Sequence, residues 1–256
     1  MDLDIKKEVL LLKDYIISMR RYFHQIPEIG MEEWETSKKI KEELRKMDIP
    51  YQEIAKTGVI GTIGNGSKTV ALRADMDALK IVERTGLSYA SQHEGLMHAC
   101  GHDGHMAALL GAAKVLKAHE KDLNITVKLL FQPAEECVAG ARKMLEEDCL
   151  EGVDEVFGIH IFSDIPSGKV SLEPGPRMAS TNQVTITVEG RPGHAGKPHQ
   201  CVDATVVAAQ ILINLQSIVS RFFDPIDSAV VSFGSFHSGT LRNIISGKAI
   251  LEGTVR

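Results

Sequence analysis

Short apolar stretches typical of β-strands alternate with helical stretches through the first two thirds of the chain. Apolar runs such as TVAL (69–72) and ITVKLLF (125–131) are followed by segments of helical periodicity, of which MAALLGAAKVLKAH (106–119) is the strongest. Strands that alternate with helices usually form parallel pairs, because each helix crosses over the sheet. We therefore predict an α/β fold with a mostly parallel sheet flanked by helices.

Two local patterns refine this prediction. The segment GVIGTIGNGSKTVALRADMDAL contains two short strands separated by GNGS (64–67), a sequence typical of β-hairpin turns. Near the N-terminus, Ile5, Val9, Leu12 and Ile16 follow the helical period. This period predicts an amphipathic helix whose apolar face lies on a core.

The composition of the chain changes near EPGPRMAS (173–180), where two prolines and a glycine predict a domain junction. We place one domain at 1–177 and a second at 178–256. The second domain contains an alternating strand (TNQVTITVEGR), a long apolar helix (DATVVAAQILINLQSIV) and two further strands (SAVVSFGSF and GKAILEGTVR). This order predicts a small α+β unit.

Composition and charge exclude several classes of protein. An apolar fraction of 43% and a charged fraction of 25% are typical of a soluble globular protein. The net charge of −5 argues against a nucleic-acid partner. Acidic residues at the N-terminus argue against a signal peptide, and we expect no membrane span because no segment approaches ~18 apolar residues. These features predict a cytoplasmic protein in which Cys137, Cys149 and Cys201 are buried free thiols, whereas the neighbours of Cys100 suggest another role.

Metal-binding side chains are concentrated in the segment MHACGHDGH (97–105), immediately before the strongest predicted helix. Cys100 and His102 are two residues apart, so in an extended segment their side chains point to the same side. A thiolate and an imidazole together suit zinc and similar ions. The alternative is a buried cysteine beside a surface histidine. The neighbouring His98 and His105 favour a metal site, although the spacing matches no zinc finger.

Further polar side chains follow the ends of predicted strands, where open α/β sheets bind their ligands. Asp75 and Asp77 follow one strand, Glu135 and Glu136 follow another, and His160 follows a third. These residues can therefore converge on a single crevice.

Each of these groups also has a purely structural interpretation. Glu135 and Glu136 could supply one metal ligand and one proton shuttle, or they could begin a helix. Asp75 and Asp77 could hold a ligating imidazole in one tautomer, or they could cap a turn. His160 could be a ligand or a core histidine.

The glycine-rich loop GRPGHAGKPH (190–199) also has two interpretations. Its histidines, His194 and His199, either belong to a plain turn or approach a ligand together with the backbone. Loops of this composition serve both purposes.

The motifs occur in an order that is similar to that of the M20 metallopeptidase clan. RRYFHQIPEIGMEE, ALRADMDALKI, MHACGHDGHMAALLGAAKVL, LLFQPAEE, GIH and GHAGKPH follow one another along nearly the whole chain. Together they resemble the amidohydrolase branch, which includes hippurate hydrolases, indoleacetyl-amino acid hydrolases, N-acyl-amino acid amidohydrolases and N-acetyldiaminopimelate deacetylases. The resemblance implies a zinc-peptidase-like catalytic domain at 1–177 and a satellite, or dimerisation, domain at 178–256.

Transferred residue by residue, the resemblance implies a dinuclear metal centre. Its ligands would be Cys100, His102, Glu136 and His160, with Cys100 bridging the two ions. The cofactors would be two divalent metal ions, Zn, Mn, Co or Ni, since all of these suit mixed sulfur, nitrogen and oxygen ligands.

The same resemblance implies the catalytic roles and the reaction. Glu135 would be the general base and Asp77 a supporting acid. His194 would reach into the active site of the partner subunit, in a homodimer formed by the satellite domains. The expected activity is hydrolysis of the amide bond of N-acyl amino acids by a metal-activated water.

The chain departs from the family pattern in one respect. Members of the family continue well beyond this length, complete the satellite domain and return to the catalytic domain, where they supply a last histidine ligand. We therefore expect a C-terminally truncated member that is weakly active or inactive alone. One alternative is a non-catalytic remnant that retains the fold and dimerisation. Another is a purely structural zinc site, against which the paired glutamates argue.

Overall fold

The computed structural model describes residues 4–256, and the chain divides into two compact units. The first unit extends to Ser171, and the second is Leu172–Arg256. The sequence places the junction slightly later, between residues 177 and 178, and the assignment of a role to each domain stays a prediction.

Five strands form the sheet at the centre of the first unit. They are β1 (Tyr51–Ile54), β2 (Gly58–Ile63), β3 (Lys68–Asp75), β4 (Ile125–Gln132) and β5 (Glu155–Gly158). Their order across the sheet is β1-β2-β4-β3-β5. Strand β3 is parallel to both β4 and β5, whereas β2 is antiparallel to both β1 and β4. The predicted α/β fold is confirmed, and the sheet is a mixed one.

The predicted hairpin between β2 and β3 is wrong, because β4 lies between these two strands and pairs with both. The GNGS segment instead passes the beginning of β4. A Cβ atom on Gly66 would lie 2.0 Å from the carbonyl oxygen of Asn124, and one on Gly64 would lie 2.5 Å from that of Ile125. Gly64 also has a φ of 75°, a left-handed conformation that favours glycine. The close approach of β4 therefore requires these glycines.

Helices cover both faces of this sheet. They are α1 (Ile5–Leu11), α2 (Lys13–Gln25), α3 (Trp34–Lys46), α4 (His102–Ala118) and α5 (Gly140–Glu146). On one face, Phe23, Leu44 and Leu110 from α2, α3 and α4 form the main core with strand residues that include Phe131. On the opposite face, Met144 of α5 belongs to a second apolar cluster. The central strands of the sheet are therefore covered on both sides, as expected for an α/β unit, whereas the edge strand β5 is exposed along its length.

The predicted N-terminal amphipathic helix is present but is divided at Leu12. Its second part contacts the core, since Ile16 lies so close to Gly111 of α4 that a Cβ there would be 2.8 Å away. The prediction that Ile5 and Val9 lie on a core is wrong, because they are 60% and 43% exposed. Helix α1 has no buried residue, because it touches α2 and α4 at only a few positions.

The second unit combines an antiparallel sheet with one long helix. Its elements are β6 (Asn182–Glu189), β7 (Gly193–His194), α6 (Ala204–Phe222), β8 (Val231–Ser238), β9 (Ile244–Ile245) and β10 (Lys248–Val255). Strand β10 lies between β6 and β8, and β7 pairs with β9. Ala204 and Ala208 of α6 pack with Ala249 and Leu251 of β10. The predicted order of strand, helix, strand and strand is present, with two short strands added.

Helix α6 is the one helix within residues 4–256 that is long and apolar enough to cross a membrane by length and composition. It has 19 residues and a mean hydropathy of 1.3 in its most apolar window. The expectation that no segment approaches such a length is therefore wrong. A single helix of this kind is weak evidence for a membrane span, and one face of α6 packs on β10.

Candidate metal centre

The predicted metal-binding and acidic side chains meet at the carboxyl ends of β3, β4 and β5 in the first unit. Ligand atoms of Cys100, His102 and His160 lie within 4.8 Å of one another, and so do those of His102, Glu135 and Glu136. His102, the first residue of α4, belongs to both groups. The structure therefore brings together the distant segments that the sequence assigned to one crevice.

His102 is held with one ring nitrogen available to a ligand. Its Nδ1 donates a hydrogen bond to the main-chain oxygen of Asp77 at 2.8 Å. Its Nε2 is buried and has no hydrogen-bond partner among residues 4–256. Carboxylate oxygens of Asp75 and Glu136 lie 3.5 and 3.8 Å from this nitrogen. A buried polar atom without a partner is costly, and a cation at Nε2 would remove that cost.

The groups around His102 are mostly acidic. Burial alone would lower the pKa of His102, but the hydrogen bond with Asp77 and the charge of Asp75 raise it above its ordinary value. Burial and the neighbouring Glu136 raise the pKa of the Cys100 thiol to about 12. A divalent cation would offset this negative charge, displace the imidazole proton and convert the thiol into a thiolate ligand.

His160 is oriented in the same manner as His102. Its Nδ1 donates a hydrogen bond to the carbonyl oxygen of Ile161 at 2.8 Å, and its Nε2 lies 3.5 Å from Sγ of Cys100. The residue is partly exposed rather than enclosed in the apolar core. Its free nitrogen therefore faces the same space as the thiol.

Asp77 organises both glutamates and His102. Its Oδ1 and Oδ2 accept the main-chain N–H groups of Glu135 and Glu136 at 3.0 and 2.9 Å. Its main-chain oxygen accepts the hydrogen bond from His102. The two roles that the sequence left as alternatives, fixing a turn and orienting an imidazole, therefore occur in the same residue.

The two glutamates differ in environment. Glu135 is partly buried, and burial together with the adjacent Glu136 raises its pKa. Glu136 is more exposed. Both residues lie in a turn that ends before α5, so the interpretation that they begin a helix is wrong. A carboxylate with a raised pKa is the better proton acceptor near neutral pH, which suits Glu135.

His105 has a structural role that the sequence analysis missed. Its Nδ1 donates a hydrogen bond to Asp75 at 2.6 Å, and its Nε2 accepts the N–H group of Ile161 at 2.9 Å. Both ring nitrogens are therefore used within the protein. His105 follows His102 by about one turn of α4, so the two rings lie on the same face of the helix. This spacing is the signal that could have indicated a supporting role.

His194 belongs to the second unit, where it ends strand β7. Its imidazole is exposed, and its Nδ1 accepts the N–H group of Gly196 at 3.0 Å. This hydrogen bond places the proton of the neutral ring on Nε2, which is therefore a donor. His199 is also exposed, in a single turn of 3-10 helix.

The ligand cluster lies within a segment that matches a known family of proteins. Residues 71–225 match the model of peptidase family M20/M25/M40. The chain therefore belongs to this family, and the resemblance found in the sequence motifs is confirmed.

Named relatives refine this assignment. The chain is 46% identical to N-acetyl-L-cysteine deacetylase of Bacillus subtilis (strain 168), over 96% of this chain and 60% of that protein. It is 44% identical to IAA-amino acid hydrolase ILR1-like 4 of Arabidopsis thaliana, over 95% of this chain and 56% of that protein. The chain therefore spans about 60% of the length of these curated relatives.

A solved structure shows the same fold. The crystal structure of the Bacillus subtilis YXEP protein, a dinuclear metal binding peptidase from the M20 family, matches with a TM-score of 0.76 and 40% identity. The match covers 95% of this chain and 64% of that chain. The family and the fold are therefore supported independently by sequence and by structure.

Proposed function

We propose that this chain carries the metal centre of a hydrolase that cleaves the amide bond of N-acyl amino acids. The supporting observation is the buried Nε2 of His102, which has no hydrogen-bond partner in the described part of the chain and lies among a thiol and carboxylates. Sulfur, imidazole nitrogen and carboxylate oxygen fit two ions of Zn, Mn, Co or Ni. Cys100, His102, Glu136 and His160 would hold these ions.

The catalytic step assigned to the chain itself is proton transfer by Glu135. A pair of divalent ions, when bound, acts as a Lewis acid and lowers the pKa of water from ~15.7 toward ~7. Glu135 accepts a proton from the water that attacks the acyl carbonyl carbon, because its carboxylate lies beside His102 and Glu136 without being one of the proposed ligands. The same carboxyl then delivers the proton to the departing amine nitrogen, which leaves poorly without it. Asp77 keeps Glu135 in place through its main-chain N–H group.

The imidazole of His194 donates a hydrogen bond to the oxyanion that develops from the acyl carbonyl. Its Nε2–H is available because its Nδ1 accepts the hydrogen bond from Gly196. In the homodimer implied by the resemblance, this imidazole acts in the active site of the partner subunit. Exposed apolar side chains on α6, such as Val206 (53%) and Ile213 (71%), support an interface on the second unit.

The substrate class and location rest on further observations. One relative is a deacetylase of N-acetyl-L-cysteine, which is itself an N-acyl amino acid. All four cysteines are free thiols in the structure, which supports a reducing compartment such as the cytoplasm. Cys149 is buried as predicted, but the prediction that Cys137 is buried is wrong, because this residue is exposed. The net charge of −5 supports a small-molecule substrate rather than a nucleic acid.

Metal titration combined with an activity assay tests the proposed function. The chain is stripped with a chelator, loaded with Mn²⁺, Zn²⁺, Co²⁺ or Ni²⁺, and assayed for release of free amino acids from N-acetyl amino acids. We expect about two ions per chain and weak hydrolysis that depends on them, because the relatives supply a further histidine ligand from a segment outside this chain. Metal without hydrolysis would favour the inactive remnant, and one tightly enclosed ion without an open coordination position would favour the structural zinc site.

A further inference from the structure

Glu33 is a fully buried carboxylate at the start of α3 that has no part in the proposed chemistry. Its Oε1 accepts the main-chain N–H group of Ala134 at 2.8 Å, and its Oε2 accepts the hydroxyl of Thr57 at 2.6 Å. These contacts join the segment before α3, the residue before β2 and the turn after β4. A carboxylate is tolerated at full burial only with such hydrogen bonds, so the arrangement is a specific one.

Ala134, the residue that Glu33 holds, directly precedes Glu135 and has an unusual backbone conformation. Its φ of 51° lies in the left-handed region, which is unfavourable for a residue with a Cβ. Its carbonyl oxygen accepts the N–H groups of Ala139 and Gly140 at 3.2 and 3.1 Å, which closes the turn. The buried hydrogen bond from Ala134 to Glu33 therefore stabilises the conformation on which the direction of Glu135 depends.

Three consecutive N–H groups of this turn point at buried carboxylates. The N–H of Ala134 is bonded to Glu33, and those of Glu135 and Glu136 are bonded to the two oxygens of Asp77. Glu33 is 0% exposed and Asp77 is 1% exposed. The main chain of both glutamates is therefore fixed by two carboxylates from different parts of the sequence.

We propose that Glu33 is a positioning residue, which sets the orientation of Glu135 and Glu136 through the amide of Ala134. This inference rests on the proposed function, which gives those glutamates the roles of base and metal ligand. Loss of the Glu33 carboxylate releases Ala134 from its left-handed conformation. The carboxylates of both glutamates then move relative to the other ligands.

Glu28 provides a matched control for a purely structural role. It lies in the same segment, and its carboxylate also accepts two main-chain N–H groups, those of Glu35 and Thr36, at 3.0 and 2.9 Å. These hydrogen bonds fix the beginning of α3 rather than the turn after β4. Glu28→Ala therefore weakens the fold near Glu33 without removing the contact with Ala134.

Three variants at the Glu33 contact form a graded series. Glu33→Ala removes both accepted hydrogen bonds. Thr57→Val removes only the hydroxyl that Glu33 accepts. Glu33→Gln keeps an oxygen for Ala134, and its amide can donate to Thr57. We expect the effect on metal binding to decrease in that order, with Glu33→Gln closest to the wild type.

Titration with Co²⁺ measures this effect, because the ligand-field absorption of Co²⁺ reports the geometry of its ligands. We expect Glu33→Ala to weaken Co²⁺ binding ~10–100-fold, the range for residues that orient metal ligands, and to change the spectrum. Glu28→Ala should lower Tm but keep the wild-type affinity and spectrum. If folded Glu33→Ala binds Co²⁺ as the wild type does, the inference is overturned. If Glu33→Ala does not fold, the Co²⁺ affinity and spectrum of Thr57→Val are compared with those of the wild type instead, and wild-type values would overturn the inference.

Hydrogen exchange at individual amides separates this inference from the proposed function. In the metal-free chain, Glu33→Ala or Thr57→Val should speed exchange at Ala134, Glu135 and Glu136, and unchanged exchange there overturns the inference. Failure of the wild-type chain to bind Co²⁺ overturns the proposed function instead. The exchange measurement then still decides whether Glu33 fixes the turn.

Discussion

The Nε2 atom of His160 lies 3.5 Å from Sγ of Cys100, although 60 positions separate the two residues in the sequence. The segment after β5 is anchored beside α4, because His105 of that helix accepts the N–H group of Ile161. Strand β5 is itself fixed by its parallel pairing with β3. The sheet and α4 therefore assemble the ligand cluster together.

Replacing the proposed base by its amide tests proton transfer while it preserves the shape of the side chain. In a chain extended at its C-terminus to the full length of the relatives, we expect Glu135→Gln to lower the turnover of N-acetyl amino acids ~10²–10⁴-fold. The chain should still bind metal, since Glu135 is not a proposed ligand. Product release and elemental analysis of the same sample measure the two quantities. Loss of metal in Glu135→Gln, with metal kept in Glu136→Gln, would show that the two glutamates have exchanged roles.

The proposed ligand set identifies the substitutions that remove metal. We expect Cys100→Ser and His102→Ala each to weaken Co²⁺ binding more than ~100-fold, beyond the usual effect of residues that only support ligands. Cys100→Ser should also abolish the thiolate-to-cobalt charge-transfer absorption. Cys137→Ser, at an exposed thiol next to the glutamates, is the control that keeps both properties. Charge-transfer absorption that survives Cys100→Ser would contradict the assignment of the thiolate.

The passage of GNGS across the start of β4 makes Gly66 sensitive to substitution. A Cβ at Gly66 would lie 2.0 Å from the oxygen of Asn124, so we expect Gly66→Ala to lower the free energy of unfolding by ~3 kcal/mol. Gly234→Ala is the control, because no atom lies within 4 Å of its added Cβ, and its effect should stay within ~0.5 kcal/mol. Urea denaturation measures both. Equal stabilities would favour a free hairpin turn at GNGS.

The buried His24 links the stability of the first unit to pH. It is 2% exposed, with Nδ1 2.8 Å from Asp103 and Nε2 3.2 Å from Glu83. The hydrogen bond with Asp103 is the main cause that raises the pKa of His24 above 6.5; burial opposes it, and the bond with Glu83 adds to it. Because the folded chain binds this proton more tightly, the stabilisation is complete below pH 6.5 and is lost as pH rises through the raised pKa.

We therefore expect the free energy of unfolding of the wild type to fall, relative to that of His24→Gln, as pH rises from about 6 to about 9. Urea denaturation of both proteins across this range measures the difference. A constant difference between wild type and His24→Gln would mean that folding does not change the proton affinity of His24.

The sequence predicts local structure better than it predicts strand pairing. Periodicity identifies elements such as α4 and β6 because it shows which face of each is buried. The hairpin prediction failed because the role of GNGS depends on Asn124 and Ile125, which approach from another part of the chain. Likewise, the helical period of Ile5 and Val9 shows that one face is apolar, but it does not show that another element covers it.

The candidate site was likewise predictable from the sequence only in part. A thiol and an imidazole two residues apart, followed by carboxylates at strand ends, indicate a metal centre, and the structure brings these groups together. The local pattern could not show which of His102 and His105 has a free ring nitrogen, because the two histidines differ only in their hydrogen-bond partners. Nε2 of His102 has none within residues 4–256, whereas Nε2 of His105 accepts the N–H group of Ile161.

Supporting residues from distant segments were the least predictable part of the site. Glu33 lies in a motif that contributed to the resemblance, but its contact with Ala134 spans 101 positions of the sequence. No local period encodes such a contact. It follows only from the packing of the segment before α3 against the turn after β4.

The hydrogen bonds that orient the imidazoles of His102 and His160, the two proposed histidine ligands, end on the main-chain oxygens of Asp77 and Ile161. These hydrogen bonds are present before a cation binds. The side-chain conformational entropy of the two imidazoles is therefore lost during folding rather than during metal binding. We therefore expect that ions can enter, leave and be exchanged while the chain keeps its fold. A chelator should remove the ions from this preformed site without unfolding the chain, whereas it unfolds a small zinc finger.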